Sequence, residues 1–275
     1  MSNTSSNKVK SQAEQRPVVD IDESSVAAVS SKGSWGSVAG ILWAMLIYLI
    51  PQVVGSFIIS IYPLLHHWNT GRTNDWLENA VSAQFAYTLI AESLAITIVG
   101  IVITHYKATW RSIGLMWPRA RDIVYMLGGF AIYFVGYAVL ITIVIHLFPK
   151  FDATQQQNVG FQDTTNSFEL LLAFISLVVL PPLAEEIIFR GFLFKGLRRK
   201  WNFWIATLVT SMLFAAPHLI EGVGGLLWVG AIDTFILSIV LCFLREKSGR
   251  LTAGIGVHAL KNGVAFASLF IFHVH

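Results

Sequence analysis

Two adjacent carboxylates and a guanidinium, Glu185, Glu186 and Arg190, stand inside a run that is otherwise apolar from Leu170 to Phe194. An ionisable side chain at bilayer depth costs about 2.5–3.5 kcal/mol on insertion scales, so such a cluster calls for a reason. On a helix Glu186 and Arg190 are i,i+4 and pair across one turn, while Glu185 lies about 100° round the axis. Arg190 then holds one glutamate ionised. The other, desolvated and beside a like charge, is able to take up a proton, which is the work of a general base. The bland alternative is a buried ion-pair network that only fixes helix packing.

Two further apolar segments carry polar groups of a catalytic kind. In Phe214-Ala215-Ala216-Pro217-His218 the histidine follows a proline that disturbs the helix ladder. His258 and Asn262 are i,i+4, share one helix face, and both donate hydrogen bonds. A lone intramembrane histidine is usually a satisfied packing residue. Two histidines, an asparagine, two glutamates and an arginine over three segments read instead as a constellation. They offer a base, a water-positioning group and two oxyanion donors, sufficient to hydrolyse an acyl bond with an activated water. Glu92 and Asp233 are two more acids in apolar segments. Glu92 reads equally as a helix-packing group and as a support to the site. His66 and His67 sit in a loop, where solvation outweighs metal binding.

These groups must be positioned by membrane helices. The chain is 55% hydrophobic and 13% charged, with a mean hydropathy of +0.63, which excludes a soluble domain and predicts an all-α polytopic bundle. Seven segments are predicted, at about 36–62, 79–104, 122–148, 167–194, 201–220, 223–244 and from 251 to the C-terminus. Pro51 and Gly55 are candidate kinks in the first. The basic and aromatic stretch 107–119 suits a short element in the headgroup region. Residues 1–34 are polar, without an apolar face or an h-region, and read as a disordered cytoplasmic tail preceding a transmembrane domain over 35–275. Cys242 is the single cysteine, so an intrachain disulfide is impossible and a packing role is expected.

Basic residues alternate along this order. Fifteen of the nineteen Lys and Arg fall in the tail and alternate loops, two in the other loops, and Arg190 and Lys261 lie within segments. That asymmetry places the N-terminus in the cytoplasm and reports topology, with no nucleic-acid partner. Counted from the nearest basic loop at ~1.5 Å per residue, Glu185 lies ~22 Å deep, His218 ~27 Å and His258 ~12 Å. Straight helices would keep them apart, so breaks at Pro182 and Pro217, or tilts, must close the gap. The Pro181-Pro182 pair also frees backbone carbonyls just before the glutamates, which suits a polar cavity.

Glu185-Glu186-x-x-x-Arg190, Phe214-x-x-x-His218 and His258-x-x-x-Asn262, in this order on apolar segments, resemble the three motifs of the CPBP family. That family takes in type II CAAX prenyl endopeptidases and bacterial Abi-type membrane proteins, and the likeness runs from about residue 107 to the C-terminus. The resemblance implies an intramembrane glutamic endopeptidase of a bacterial plasma membrane, working without a cofactor or metal on a membrane-associated protein or peptide. It assigns water activation to Glu185 and His218, the oxyanion hole to His258 and Asn262, and support of the site to Glu186 and Arg190.

The same residues bear other readings. There is no HExxH helix and no GxSG loop, and Asp233 lacks a second aspartate for an aspartyl pair. Glu185, His218 and His258 make a plausible zinc ligand set, against which Arg190 sets a fixed positive charge. A non-catalytic scaffold in bacteriocin immunity or regulation is the second class. A proton-coupled transporter is the third, without an inverted repeat between the halves to support it.

Overall fold

The computed structural model describes residues 35–161, 164 and 166–273; the tail read as disordered lies outside them. Among the described residues, seven helical segments are long and apolar enough to cross a membrane. They are α1 (Ser37–Leu65), α3 (Val81–His105), α4 (Ala120–Leu147), the composite span Ser167–Leu197, the span Phe203–Ile220, α9 (Trp228–Ser248), and the span Thr252–Ile271. A short helix, α2 (Thr70–Asn79), capped by the Asn69 side chain on the Arg72 N–H, fills the loop after α1. The protein is therefore an all-α bundle with the seven spans predicted, the bounds at 167 and 220 coinciding and the others moving by five residues or fewer. Pro51 and Gly55 do not break α1. Both are buried, and Gly55 lets Tyr87 and Ala91 of α3 come close.

The composite span is the axis of the molecule. It runs as α5 (Ser167–Phe174), a π segment Ile175–Val179, α6 (Leu180–Glu185), a second π segment Glu186–Phe194 and a last turn, α7 (Lys195–Leu197). Every residue from Glu186 to Phe194 is buried, packed against α1, α3, α9 and α8 (Phe203–Ala215). A segment buried on every side belongs at the centre of a bundle, and Ile187, Ile188, Phe189, Phe192, Leu193 and Phe194 supply its apolar surface around the Glu186–Arg190 pair. The irregularity traces to Pro181 and Pro182. Neither offers an N–H, so the ladder before them shifts register, and the Leu180 N–H reaches back to the Ile175 carbonyl.

The fifth span is broken where the sequence marks it. α8 ends at Ala215, and Pro217 starts a 3₁₀ turn, Pro217–Ile220, carrying His218. The loop beyond is held from the other side of the chain. The Gln155 side chain donates to the Leu226 carbonyl and accepts from the Val229 N–H, while Gln157 pairs with Gly222 and Glu221. The last span consists of α10 (Thr252–Phe266) and a terminal π segment, Ala267–Ile271.

The stretch 107–119, expected as a short element in the headgroup region, is tied into the bundle. It folds as a turn whose Ile113 side chain is fully buried, although Trp117 is exposed. Gly114, at φ +94°, lets the Arg245 guanidinium pack where a Cβ would stand, and its carbonyl accepts from the Leu251 N–H at 2.9 Å. Lys195 Nζ donates to the Ser112 carbonyl at 2.7 Å. The apolar Ile113 thus draws a basic loop inward to lock the ends of three spans. A buried pair between Arg250 and Asp122, 3.1 Å apart, closes the same end of the bundle.

Candidate active site

Glu185 closes α6 and Glu186 opens the second π segment, so both carboxylates leave the backbone where its hydrogen-bond register changes. Such π insertions recur at functional sites. Arg190 Nη1 donates to Glu186 Oε1 at 2.7 Å with both side chains buried, the pairing read from their spacing. The guanidinium also lies over the Phe214 ring, 4.3 Å from its centroid. On the far side of Glu186, a Cβ on Gly254 would stand 3.0 Å from Oε2. Glycine there admits α10 to the carboxylate.

That approach delivers His258. Its Nδ1 lies 3.4 Å from Glu186 Oε1 and its Nε2 3.7 Å from Glu185 Oε2, the first a hydrogen bond and the second an ion-pair distance. The imidazole therefore bridges the two carboxylates, and among the described residues Glu186 has an arginine partner and Glu185 has no Lys or Arg partner. Glu185 Oε2 is buried with no hydrogen-bond partner among the described residues. The depth mismatch of straight helices has closed, since Glu185 and His258 are in contact across two spans.

His218 sits differently. Its Nδ1 is 3.1 Å from the Phe214 carbonyl, and among the described residues no hydrogen bond or ion pair joins it to either glutamate. A carbonyl only accepts, so Nδ1 carries the proton and Nε2 presents a lone pair. Phe214 links the parts. Its ring centroid is 5.4 Å from that of His218, 5.7 Å from His258 and 5.0 Å from Phe189. Glu92 and Glu221 lie within electrostatic reach of Glu185, and Glu92 is buried.

Asn262 is committed to backbone. Its Nδ2 donates to the Leu177 carbonyl at 2.9 Å. The α-helical partner of that carbonyl would be the N–H of residue 181 and the π-helical partner that of residue 182, and both are prolines. Lys261, the neighbour of Asn262, reaches the other way and pairs with Asp233 at 2.9 Å. Asp233 also accepts from the Tyr133 hydroxyl of α4. Among the described residues no group of three or more His, Cys, Asp and Glu could hold a metal ion, so Glu185, His218 and His258 are not gathered as a ligand set.

The Glu186–Arg190 pairing was legible in the i,i+4 spacing, whereas the contact of His258 with the glutamates ran against the depths counted from the loops. Three features were not legible: the hub formed by Phe214, the Asn262–Leu177 bond, and the pairing of Asp233 with Lys261. The last two carried a signal in retrospect. A doubled proline orphans one carbonyl in either helical register, and a lone acid and a lone base on neighbouring apolar segments are natural partners.

The same spans carry a likeness to known proteins. Residues 167–264 match the family model described as type II CAAX prenyl endopeptidase Rce1-like, a stretch that contains all six site residues. Over 92 residues the chain is 29% identical to an Escherichia coli protein named "Uncharacterized 24.3 kDa protein", covering 33% of this chain and 41% of that one. Over 180 residues it is 28% identical to the "Putative membrane peptidase YdiL" of Bacillus subtilis (strain 168), covering 63% of this chain and 69% of that one. The chain thus spans about two fifths of the first relative's length. No solved structure matches. With its seven spans, this is an integral membrane protein whose likeness, at the level of the family, is to membrane proteases.

Proposed function

We propose that this protein is an intramembrane endopeptidase that hydrolyses a peptide bond of a membrane-associated protein or peptide with a glutamate- and histidine-activated water. The observation that carries this reading is the unequal pair of carboxylates. Oε1 of Glu186 is occupied by Arg190 and His258, whereas the Glu185 carboxylate has no hydrogen bond among the described residues and only His258 Nε2 at 3.7 Å, although each carboxylate keeps a buried Oε2 without a partner. Spare acceptor capacity in a buried carboxylate is what a general base needs.

In this mechanism Glu185 takes a proton from a water that the His218 Nε2 lone pair helps to orient. The resulting hydroxide oxygen attacks the scissile carbonyl carbon, and the carbonyl π electrons move to its oxygen. His258, doubly protonated with its Nδ1–H on Glu186, donates its Nε2–H to that oxyanion, together with the second N–H of the Asn262 amide. Collapse re-forms the carbonyl and expels the amine, which takes the proton back from Glu185. Glu186 and Arg190 stay a fixed ion pair throughout and hold the imidazole of His258. The Lys and Arg asymmetry supports a cytoplasmic N-terminus, in the plasma membrane of a bacterium.

The test is cleavage in detergent micelles of a mixture of synthetic transmembrane peptides by the purified protein, with new termini read by mass spectrometry. Cleavage by the wild type and its loss in Glu185→Gln supports the reading. Equal product from both proteins, or none from the wild type, overturns it.

A further inference from the structure

We propose that the Asp233–Lys261 ion pair, steadied by Tyr133, is a positioning device that sets the rotation of α10 and so holds His258 against the two glutamates. The inference rests on the reading of His258 as part of the hydrolytic site. It begins from where the tethers of α10 lie. At 100° per residue, Lys261 stands about 60° to one side of His258 and Asn262 about 40° to the other. Each is tied to a different neighbour. Asn262 holds the Leu177 carbonyl of the composite span at 2.9 Å, and Lys261 Nζ holds Asp233 Oδ2 of α9 at 2.9 Å.

Asp233 is itself fixed, since its other oxygen accepts from Tyr133 of α4. Three spans therefore meet at one carboxylate, with α10 gripped on both flanks of the imidazole. The grip matters because the first turns of α10 pack through glycine. Gly254 admits Glu186 and Gly256 admits Met126, close approaches that leave few side-chain knobs to resist turning. A rotation of about 30° carries a group ~5–6 Å from the helix axis through ~3 Å. The 3.4 Å contact of His258 with Glu186 would not survive that. Neither Lys261 nor Asp233 is sealed, for both line a cavity of about 300 Å³ with Phe130, Tyr133 and Gln157. Partial solvation lowers the desolvation cost that a fully buried pair would carry.

The test uses the full-length protein in detergent with ¹⁵N-labelled histidine, the His258 ring signals being assigned by their loss in His258→Asn. Three variants are compared with the wild type: Lys261→Met, the neutral pair Lys261→Met/Asp233→Asn, and the exchange Lys261→Asp/Asp233→Lys. The neutral pair leaves no unpaired buried charge, so it stays folded where the single variant need not. The His258 ring signals should shift in the neutral pair and return toward wild type in the exchange. In the peptide cleavage assay kcat should fall about tenfold or more in the neutral pair, with KM unchanged and partial recovery in the exchange. A neutral pair with wild-type His258 signals overturns the proposal. A wild type that cleaves nothing overturns the hydrolytic reading alone, and the ring signals still decide whether the pair sets α10.

Discussion

Asn262 Nδ2 donates at 2.9 Å to the carbonyl of Leu177, an acceptor that the two following prolines leave without a backbone donor in either helical register. The bond ties the third motif to the main chain of the span that carries the first. Asn262→Ala leaves a part-buried carbonyl unpaired, which costs about 1–3 kcal/mol, so its melting temperature should fall. If the remaining amide N–H also serves the oxyanion, kcat per folded molecule falls by ~10²–10³ as well. Measuring both on one preparation separates the two roles, and an unchanged melting temperature would contradict the first.

Glu185→Gln keeps the shape of the side chain and removes the base. Hydrolysis should drop by ~10²–10⁴ while insertion, purification yield and melting temperature stay near wild type. Retention of more than about a tenth of the rate would exclude a general-base role.

Arg190→Met should behave in the opposite way, losing fold and activity together. It strands Glu186 in a buried site, and breaking such a pair costs about 3–5 kcal/mol. The double variant Glu186→Gln/Arg190→Met removes both charges and should recover much of that stability without recovering turnover. Thermal unfolding of the two variants side by side makes the comparison.

Gly196→Ala tests the seating of the composite span. A Cβ there would stand close against Trp35 Nε1, the group that donates to the Phe192 carbonyl at 3.1 Å while its ring stacks on Phe192. Overpacking of this kind costs about 1–3 kcal/mol, read as a lower melting temperature. Gly128→Ala, where a Cβ meets nothing within 4 Å, is the matched control and should leave it unchanged.

The seven spans were legible because hydropathy over some twenty residues is a strong signal and loop charge reinforces it. The Glu186–Arg190 pairing was legible because i,i+4 neighbours meet on any helix. What escaped the sequence is register and depth. Linear counting put His258 far above Glu185, and nothing in one sequence says that a proline pair will be absorbed by π segments on both sides. The burial of Ile113 was hidden too, since a basic and aromatic loop gives no hint that one aliphatic side chain turns inward.

The place of Phe214 has a further consequence. One face of its ring carries the Arg190 guanidinium, and Phe189, His218 and His258 surround it. Groups from three spans are thus gauged against a common hydrocarbon spacer as well as against each other, much as parts are aligned on a shared dowel. Shrinking that spacer would leave every charge and donor in the chain and every span in place, yet let the separations among them drift. The tolerance of the site is in that sense a property of packing, borne by the one residue of its motif that has no acid, base or donor to offer.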